Sequence, residues 1–206
     1  GQPGLLITDA GRLIAYGRVL SPYGSAPGSF VAAWYSDDNG ATWAILNDAA
    51  ASLLNASSIL NAEWVSGSAM LICGAVAGAA VDCYNSTSDG ISFTPSGVGN
   101  ATLYRPRTTV YNGVVMIHAD DDAGAVYQQT VSPGGNVDDG TAWTEIPASQ
   151  ILHSNDNKQR AILTDDQGDL WVASVVDDND AQTLLYYSSN GGALWVQAGQ
   201  TTQGTA

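Results

Sequence analysis

An eight-residue pattern recurs four times along the chain, and it constrains the fold more than any other feature. The copies are Ser36-Asp37-Asp38-Asn39-Gly40-Ala41-Thr42-Trp43, Ser86-Thr87-Ser88-Asp89-Gly90-Ile91-Ser92-Phe93, Asn136-Val137-Asp138-Asp139-Gly140-Thr141-Ala142-Trp143 and Ser188-Ser189-Asn190-Gly191-Gly192-Ala193-Leu194-Trp195. A small polar residue opens each copy and a second polar residue follows two on. Glycine comes two further, and an aromatic three beyond that. The aromatics fall at 43, 93, 143 and 195, a period of 50, 50 and 52 residues. A fixed period of this length is the mark of a repeat architecture.

The frame suits a tight turn between two strands. Side-chain oxygens of Ser and Asp accept bonds from backbone N–H groups that the strand ladder leaves without partners. Glycine takes the positive φ that the turn demands. The aromatic is expected to wedge between neighbouring sheets and pin the turn to the core. A second series supports the repeat. Gly11, Gly67, Gly113 and Gly168 each precede an apolar strand: Arg12–Tyr16, Ser68–Ile72, Val114–His118 and Asp169–Ala173. Each unit then reads as strand, turn, apolar strand, loop, strand, octet turn and short outer strand. That is the four-stranded antiparallel blade of a β-propeller. The expectation is an all-β fold, a single domain over 1–206. Its four blades run approximately 1–50, 51–100, 101–150 and 151–200, with the octet turns between third and fourth strands. The stretch 48–60 is the one helical candidate, and a loop is preferred there.

The octets resemble the Asp-box, or bacterial neuraminidase repeat, of sialidases and related propellers. The resemblance covers roughly residues 1–200. In those families the motif is structural and lies away from the active site, so it implies a fold rather than an activity. Ser88 and Asn190 stand where the aspartate would be, and Ala142 and Leu194 replace the usual Thr or Ser. The second and fourth turns are therefore expected to be looser. Relatives usually have six or more blades. Beginning on an inner strand and ending on an outer one favours a self-contained unit of four, with further blades outside the chain as the alternative.

Charge narrows the partners. The chain has 20 acidic residues against 6 basic ones, a net charge of −14. Such a surface argues against nucleic acid, whose phosphates need Lys and Arg, and against anionic membranes. The longest apolar run, 69–81, is too short to span a bilayer. Cys73 and Cys83 lie symmetrically about Gly78. They read either as a cross-strand disulfide, suited to an oxidising compartment, or as two buried thiols.

In the resembled families function sits on the face opposite the Asp-box turns. There the sequence places 21–29, the acidic runs 120–122 and 177–180, and the links bearing Tyr104, Arg105, Arg107, Lys158 and Arg160. Tyr104-Arg105-Pro106-Arg107 resembles the Arg-x-Pro start of an inner strand in sialidases, and Arg160 holds a comparable place in the next blade. Bidentate arginine suits a carboxylate, but a third matching arginine is not found, nor is a Tyr–Glu pair. No catalytic set is therefore assigned. The ligand-binding candidates are Arg105, Arg107, Arg160, Tyr104 and Tyr23, with the rival reading that Arg107 and Arg160 simply pair with the surrounding aspartates. The acidic runs carry the oxygen ligands Ca²⁺ takes but not the spacing of a calcium loop. No cofactor is expected, with Ca²⁺ as the alternative. His118 and His153 show no ligand pattern. Trp34, Trp64 and Trp171 read as core.

These readings lead to a non-catalytic module outside a cell or on a virion. It would recognise a cell-surface glycan or a protein partner. A structural module of a filament, sheath or capsid decoration, self-associating as a homo-oligomer, is one alternative. A sialidase-like glycoside hydrolase, or a fragment of one, is the other.

Overall fold

The computed structural model describes residues 4–20, 29–45, 57–66, 69–76, 79–86, 88, 94–95, 102–121, 123–132, 143–151, 160–176 and 182–201. Among them are sixteen strands and no helix. The first sheet holds β1 (Gly4–Ile7), β2 (Leu13–Leu20), β3 (Ser29–Ser36) and β4 (Ala44–Ile45). The second holds β5 (Ser57–Ser66), β6 (Ala69–Val76), β7 (Ala79–Ser86) and β8 (Thr94–Pro95). The third holds β9 (Tyr104–Tyr111), β10 (Val114–Asp120), β11 (Val126–Val131) and β12 (Thr144–Ile146). The fourth holds β13 (Arg160–Thr164), β14 (Leu170–Val176), β15 (Gln182–Ser188) and β16 (Val196–Thr201). Every sheet is an antiparallel meander with its strands in chain order. The end of the helical candidate, 57–60, lies in β5, and its remainder falls outside the described residues.

First strands of consecutive sheets pack on one another, β1 on β5, β5 on β9 and β9 on β13. First strands therefore lie innermost and fourth strands outermost. Apolar residues of facing sheets interlock between them. Leu71, Cys73, Val81 and Cys83 of the second sheet meet Val115, Ile117, Ala119 and Val131 of the third. On the third sheet's other face, Met116, Val126 and Ile146 meet Leu170, Val172, Leu184 and Tyr186 of the fourth. Cys73 and Cys83 are direct cross-strand partners and form a disulfide with Cα atoms 4.1 Å apart.

The octet turns behave largely as expected. Ser36 ends β3; its Oγ–H donates to Asp38 Oδ1 (2.7 Å) and its oxygen accepts from Gly40 N–H (2.8 Å). Asp38 also accepts from Thr42 N–H and Thr42 Oγ–H, at 2.8 and 2.5 Å. These bonds, from Thr42 first and then Ser36, hold the Asp38 carboxyl down at about 2. The fourth turn repeats the scheme. Ser188 Oγ–H donates to Asn190 Oδ1, Gly192 N–H donates to Ser188 Oγ, and Leu194 N–H donates to Asn190 Oδ1, each at 2.9 Å. The fourth turn is thus not loosened in its backbone. The amide oxygen of Asn190 does what the aspartate does, and only the bond from Thr42 Oγ–H has no counterpart at Leu194. Gly40 and Gly192, with φ of 88° and 83°, take the left-handed backbone that the turn needs. In the second turn Ser88 N–H reaches Ser86 Oγ at 3.3 Å; Gly90 and Phe93 lie outside the described residues.

One octet sits differently from the others, and one expectation fails for an identifiable reason. The third octet lies between β11 and β12 as the others lie between their third and fourth strands, but it opens further from its strand end. β11 stops at Val131, and Asn136 lies five residues on. Equal spacing of the aromatics hid this offset, and Asp138 and Gly140 lie outside the described residues. The aromatics are also not equivalent. Trp195 is 2% exposed within the core between third and fourth sheets. Trp143 packs on the core between second and third. Trp43 is 44% exposed, its indole N–H donating to Gly40 O at 3.1 Å. Trp143 and Trp195 wedge against the preceding sheet, whereas none of the described sheets packs on that side of the first.

Replacing both Cys73 and Cys83 by alanine should cost about 2–4 kcal/mol, read as a lowered denaturant midpoint; the unreduced chain should weigh two hydrogens less than the dithiol. Ser188→Ala strands the buried Gly192 N–H and should cost about 1–3 kcal/mol in the same measurement. The exposed Asn190→Ala should cost less.

Candidate anion-binding site

The meander fixes which ends of the strands meet. Octet turns lie where third strands end, so the starts of β9 and β13 and the end of β10 lie at the opposite end of the sheets. Tyr104, Arg105, Arg107, Asp120 and Arg160 gather there.

A β-bulge aims the arginines. In the β9–β10 register Arg107 pairs with His118 and Tyr104 with Asp120, so Arg105 and Pro106 stand opposite Ala119 alone. Bulges bend a strand and redirect its side chains. Arg105 takes a φ of 52°, a left-handed conformation costing a non-glycine residue about 1–2 kcal/mol. That strain is offset where Arg105 Nη2 meets Asp120 Oδ1 in an ion pair. Arg160 Nη1 reaches the other oxygen, Asp120 Oδ2, at 3.4 Å. Arg107 Nε–H donates to the backbone oxygen of Arg160 at 2.7 Å, and its Nη1 to Pro106 O at 3.0 Å. Arg107 thus ties the third inner strand to the fourth, as does the Thr109–Thr164 hydroxyl contact at 3.2 Å.

Three guanidinium groups therefore surround one carboxylate, in a chain with 20 acidic residues and 6 basic ones. The side chains of Asp120 and Arg160 are each only 5% exposed, and that of Arg105 is 20% exposed. Burial pushes the Asp120 carboxyl up, against the pull of Arg105, Arg160 and Arg107. Burial likewise pulls Arg107 and Arg160 down. Arg105 Nε, Arg160 Nε and Arg160 Nη2 are buried donors with no acceptor among the described residues. Buried donors of this kind are costly unless something accepts from them. The arrangement can take an anion, with planar N–H edges suited to a carboxylate.

The sequence candidates separate here. Arg105, Arg107 and Arg160 converge, with Tyr104 beside Asp120, so a third arginine is present at the cluster although sequence position did not match it. The rival pairing with aspartates holds for Arg160, which reaches Asp120, while Arg107 donates to backbone oxygens. Tyr23 and Lys158 lie outside the described residues. Asp121 closes its own turn, its Oδ1 accepting from Ala125 N–H at 2.8 Å; Asp122 and 177–180 lie outside the described residues. Among the described residues no three His, Cys, Asp or Glu side chains gather as metal ligands. Trp171 is not core. It lies half-buried on the fourth sheet, donating to Asp165 Oδ2 at 2.7 Å and stacked near Tyr187. Trp34 is likewise only half-buried, and nothing is described of the Trp64 side chain.

Sequence reasoning missed His118. It sits behind the cluster on β10, edge-on to Trp195 at 5.3 Å between ring centroids. Burial, and then the Arg160 charge, lower it to about 3.

Comparison with solved structures follows this geometry. The GH93 α-L-arabinofuranosidase of Fusarium graminearum superposes with a TM-score of 0.63 at 12% identity, over 96% of this chain and 64% of that one. The sialidase of Trypanosoma rangeli gives 0.59 at 15%, over 90% and 31%. The Aleuria aurantia lectin, solved with α-methyl-L-fucoside, gives 0.63 at 11%, over 95% and 58%. The likeness shows a sialidase-like β-propeller fold. This chain spans less than two-thirds of the length of each of these three proteins. No protein-family profile and no curated protein sequence matches it.

Because His118 titrates near 6.5 when unfolded and about 3 when folded, the unfolded chain binds the extra proton between those values. Its contribution is fully present above 6.5 and is lost as pH falls toward 3. Within that window stability should drop by up to about tenfold in the folding constant per pH unit. His118→Phe should flatten the slope between pH 6.5 and 4.5 relative to the parent chain, which shares the raised Asp120 carboxyl, as read by denaturant melts of both at each pH.

Proposed function

We propose that this chain is a non-catalytic carbohydrate-recognition propeller whose ligand carries a carboxylate, such as a uronic or sialic acid. One observation carries the reading: Arg105 and Arg160 both pair with Asp120, with the Arg107 charge acting on the same carboxylate, and Arg105 and Arg160 retain buried N–H donors without acceptors among the described residues. Among its structural neighbours are glycoside hydrolases and a fucoside-binding lectin, which supports a glycan as the ligand class. A hydrolytic reading would draw on Asp120. Its carboxylate is engaged by two arginines, which weighs toward binding rather than turnover. The Cys73–Cys83 disulfide supports placement outside a cell or on a virion surface, where such bonds persist.

The chain should bind acidic oligosaccharides in calorimetry and not their neutral counterparts. Arg105→Ala, at the most exposed of the three, should weaken binding about 10–100-fold, the range expected for losing hydrogen bonds to a charged group. Affinity unchanged in Arg105→Ala would remove the site from consideration. Turnover of fluorogenic glycosides by the purified chain would overturn the non-catalytic reading.

A further inference from the structure

Asp120 stands where the carboxylate of a ligand would stand. Its two oxygens are divided between two arginines, Oδ1 toward Arg105 Nη2 and Oδ2 toward Arg160 Nη1 at 3.4 Å. A carboxylate matches a guanidinium best with both oxygens on one planar edge, and Asp120 gives neither arginine that. Arg105 Nε, Arg160 Nε and Arg160 Nη2 stay buried without an acceptor among the described residues. Arg105 is also the readier of the two to meet a ligand, with 20% of its side chain exposed against 5% for Arg160.

Without Arg105, little would hold a charge on Asp120. Arg107 gives its Nε–H and Nη1 to the backbone oxygens of Arg160 and Pro106. Arg160 remains at 3.4 Å, and its own charge is shared with Tyr186 of β15. The cross-strand partners are Tyr104 from β9 and Val126 from β11. On β10 itself His118 is neutral above about 3, and the neighbouring Asp121 carboxyl accepts from Ala125 N–H. Burial already outweighs the pull of the three arginines and pushes the Asp120 carboxyl up. Losing Arg105 and gaining a second carboxylate alongside both push it further the same way.

We propose that Asp120 is a built-in stand-in for the ligand: an arriving carboxylate takes Arg105 from it, and Asp120 takes up one proton from solvent in exchange. The Arg105–Asp120 ion pair breaks, an Arg105–ligand pair forms, and one O–H bond forms on Asp120. One anion and one proton enter together, so the buried cluster keeps its net charge. This rests on the reading of the cluster as a carboxylate site and adds what governs its occupancy. Because the bound state holds the extra proton, affinity rises as pH falls and levels off once Asp120 of the free chain is itself protonated.

Calorimetry of the whole chain with trigalacturonic acid and with sialyllactose, in pairs of buffers of different ionisation enthalpy, counts the protons. The expected result is net uptake of up to about one proton per ligand, with tighter binding at about pH 5 than at about pH 7. Asp120→Asn keeps the shape and cannot take the proton. It should bind at least about tenfold tighter than the parent at pH 7, one unit of coupling being tenfold, with no uptake. Binding by the parent without proton uptake overturns the exchange, with no variant having to fold. So does uptake that persists in Asp120→Asn, or a variant folded by denaturant melts that binds no tighter at pH 7. In those cases a carboxylate site lost in Arg105→Ala still stands. A chain that binds neither probe, with Asp120 or with asparagine there, removes the site and the exchange together.

Discussion

A β-sheet with two apolar faces is stable only when both are covered, and the described structure follows from that requirement. Each repeat supplies about the same meander, and none can bury its faces alone. Stacking consecutive sheets buries Leu71 and Cys73 against Val115 and Ile117, and Met116 against Leu170 and Val172. The octet turns serve the same end. By satisfying their own backbone groups, Ser36 with Asp38 and Ser188 with Asn190 leave the strand ends free to pack without stranded donors. Where a neighbour is missing, the same residue types behave differently. Trp195 is core, while Trp43, at an equivalent place in its octet, meets solvent.

The repeat was legible because turn chemistry is local. A serine, an acid or amide, and a glycine at fixed offsets make their bonds within five residues, so spacing alone specifies them. The four apolar second strands were legible by their preceding glycines. What spacing could not convey is anything between repeats. Trp43 and Trp195 look alike in sequence, and their burial depends on what lies on the far side of each sheet. In the third repeat the aromatic keeps the period although β11 ends at Val131, well before Asn136.

The arginine cluster shows the same division. Tyr104-Arg105-Pro106-Arg107 could be singled out as an inner-strand start, and Arg160 as its counterpart one repeat on. Their convergence on Asp120 could not. It depends on a bulge between His118 and Asp120 and on the left-handed backbone at Arg105, neither of which a run of residue types betrays. Pro106, which lacks an amide donor and restricts the residue before it, was the one hint of irregular pairing there. His118 gave no hint at all, since a lone histidine in an apolar strand reads as a packing residue until its neighbours are known.

The disulfide joins two adjacent strands of a single sheet rather than two sheets. Nothing covalent except the main chain therefore fastens one sheet to the next, and cohesion along the row is a sum of nearest-neighbour contacts, as in other stacked repeats. Among the described sheets, the second and third are flanked on both sides and would be last to come apart, with amide exchange slowest around the cross-linked strands.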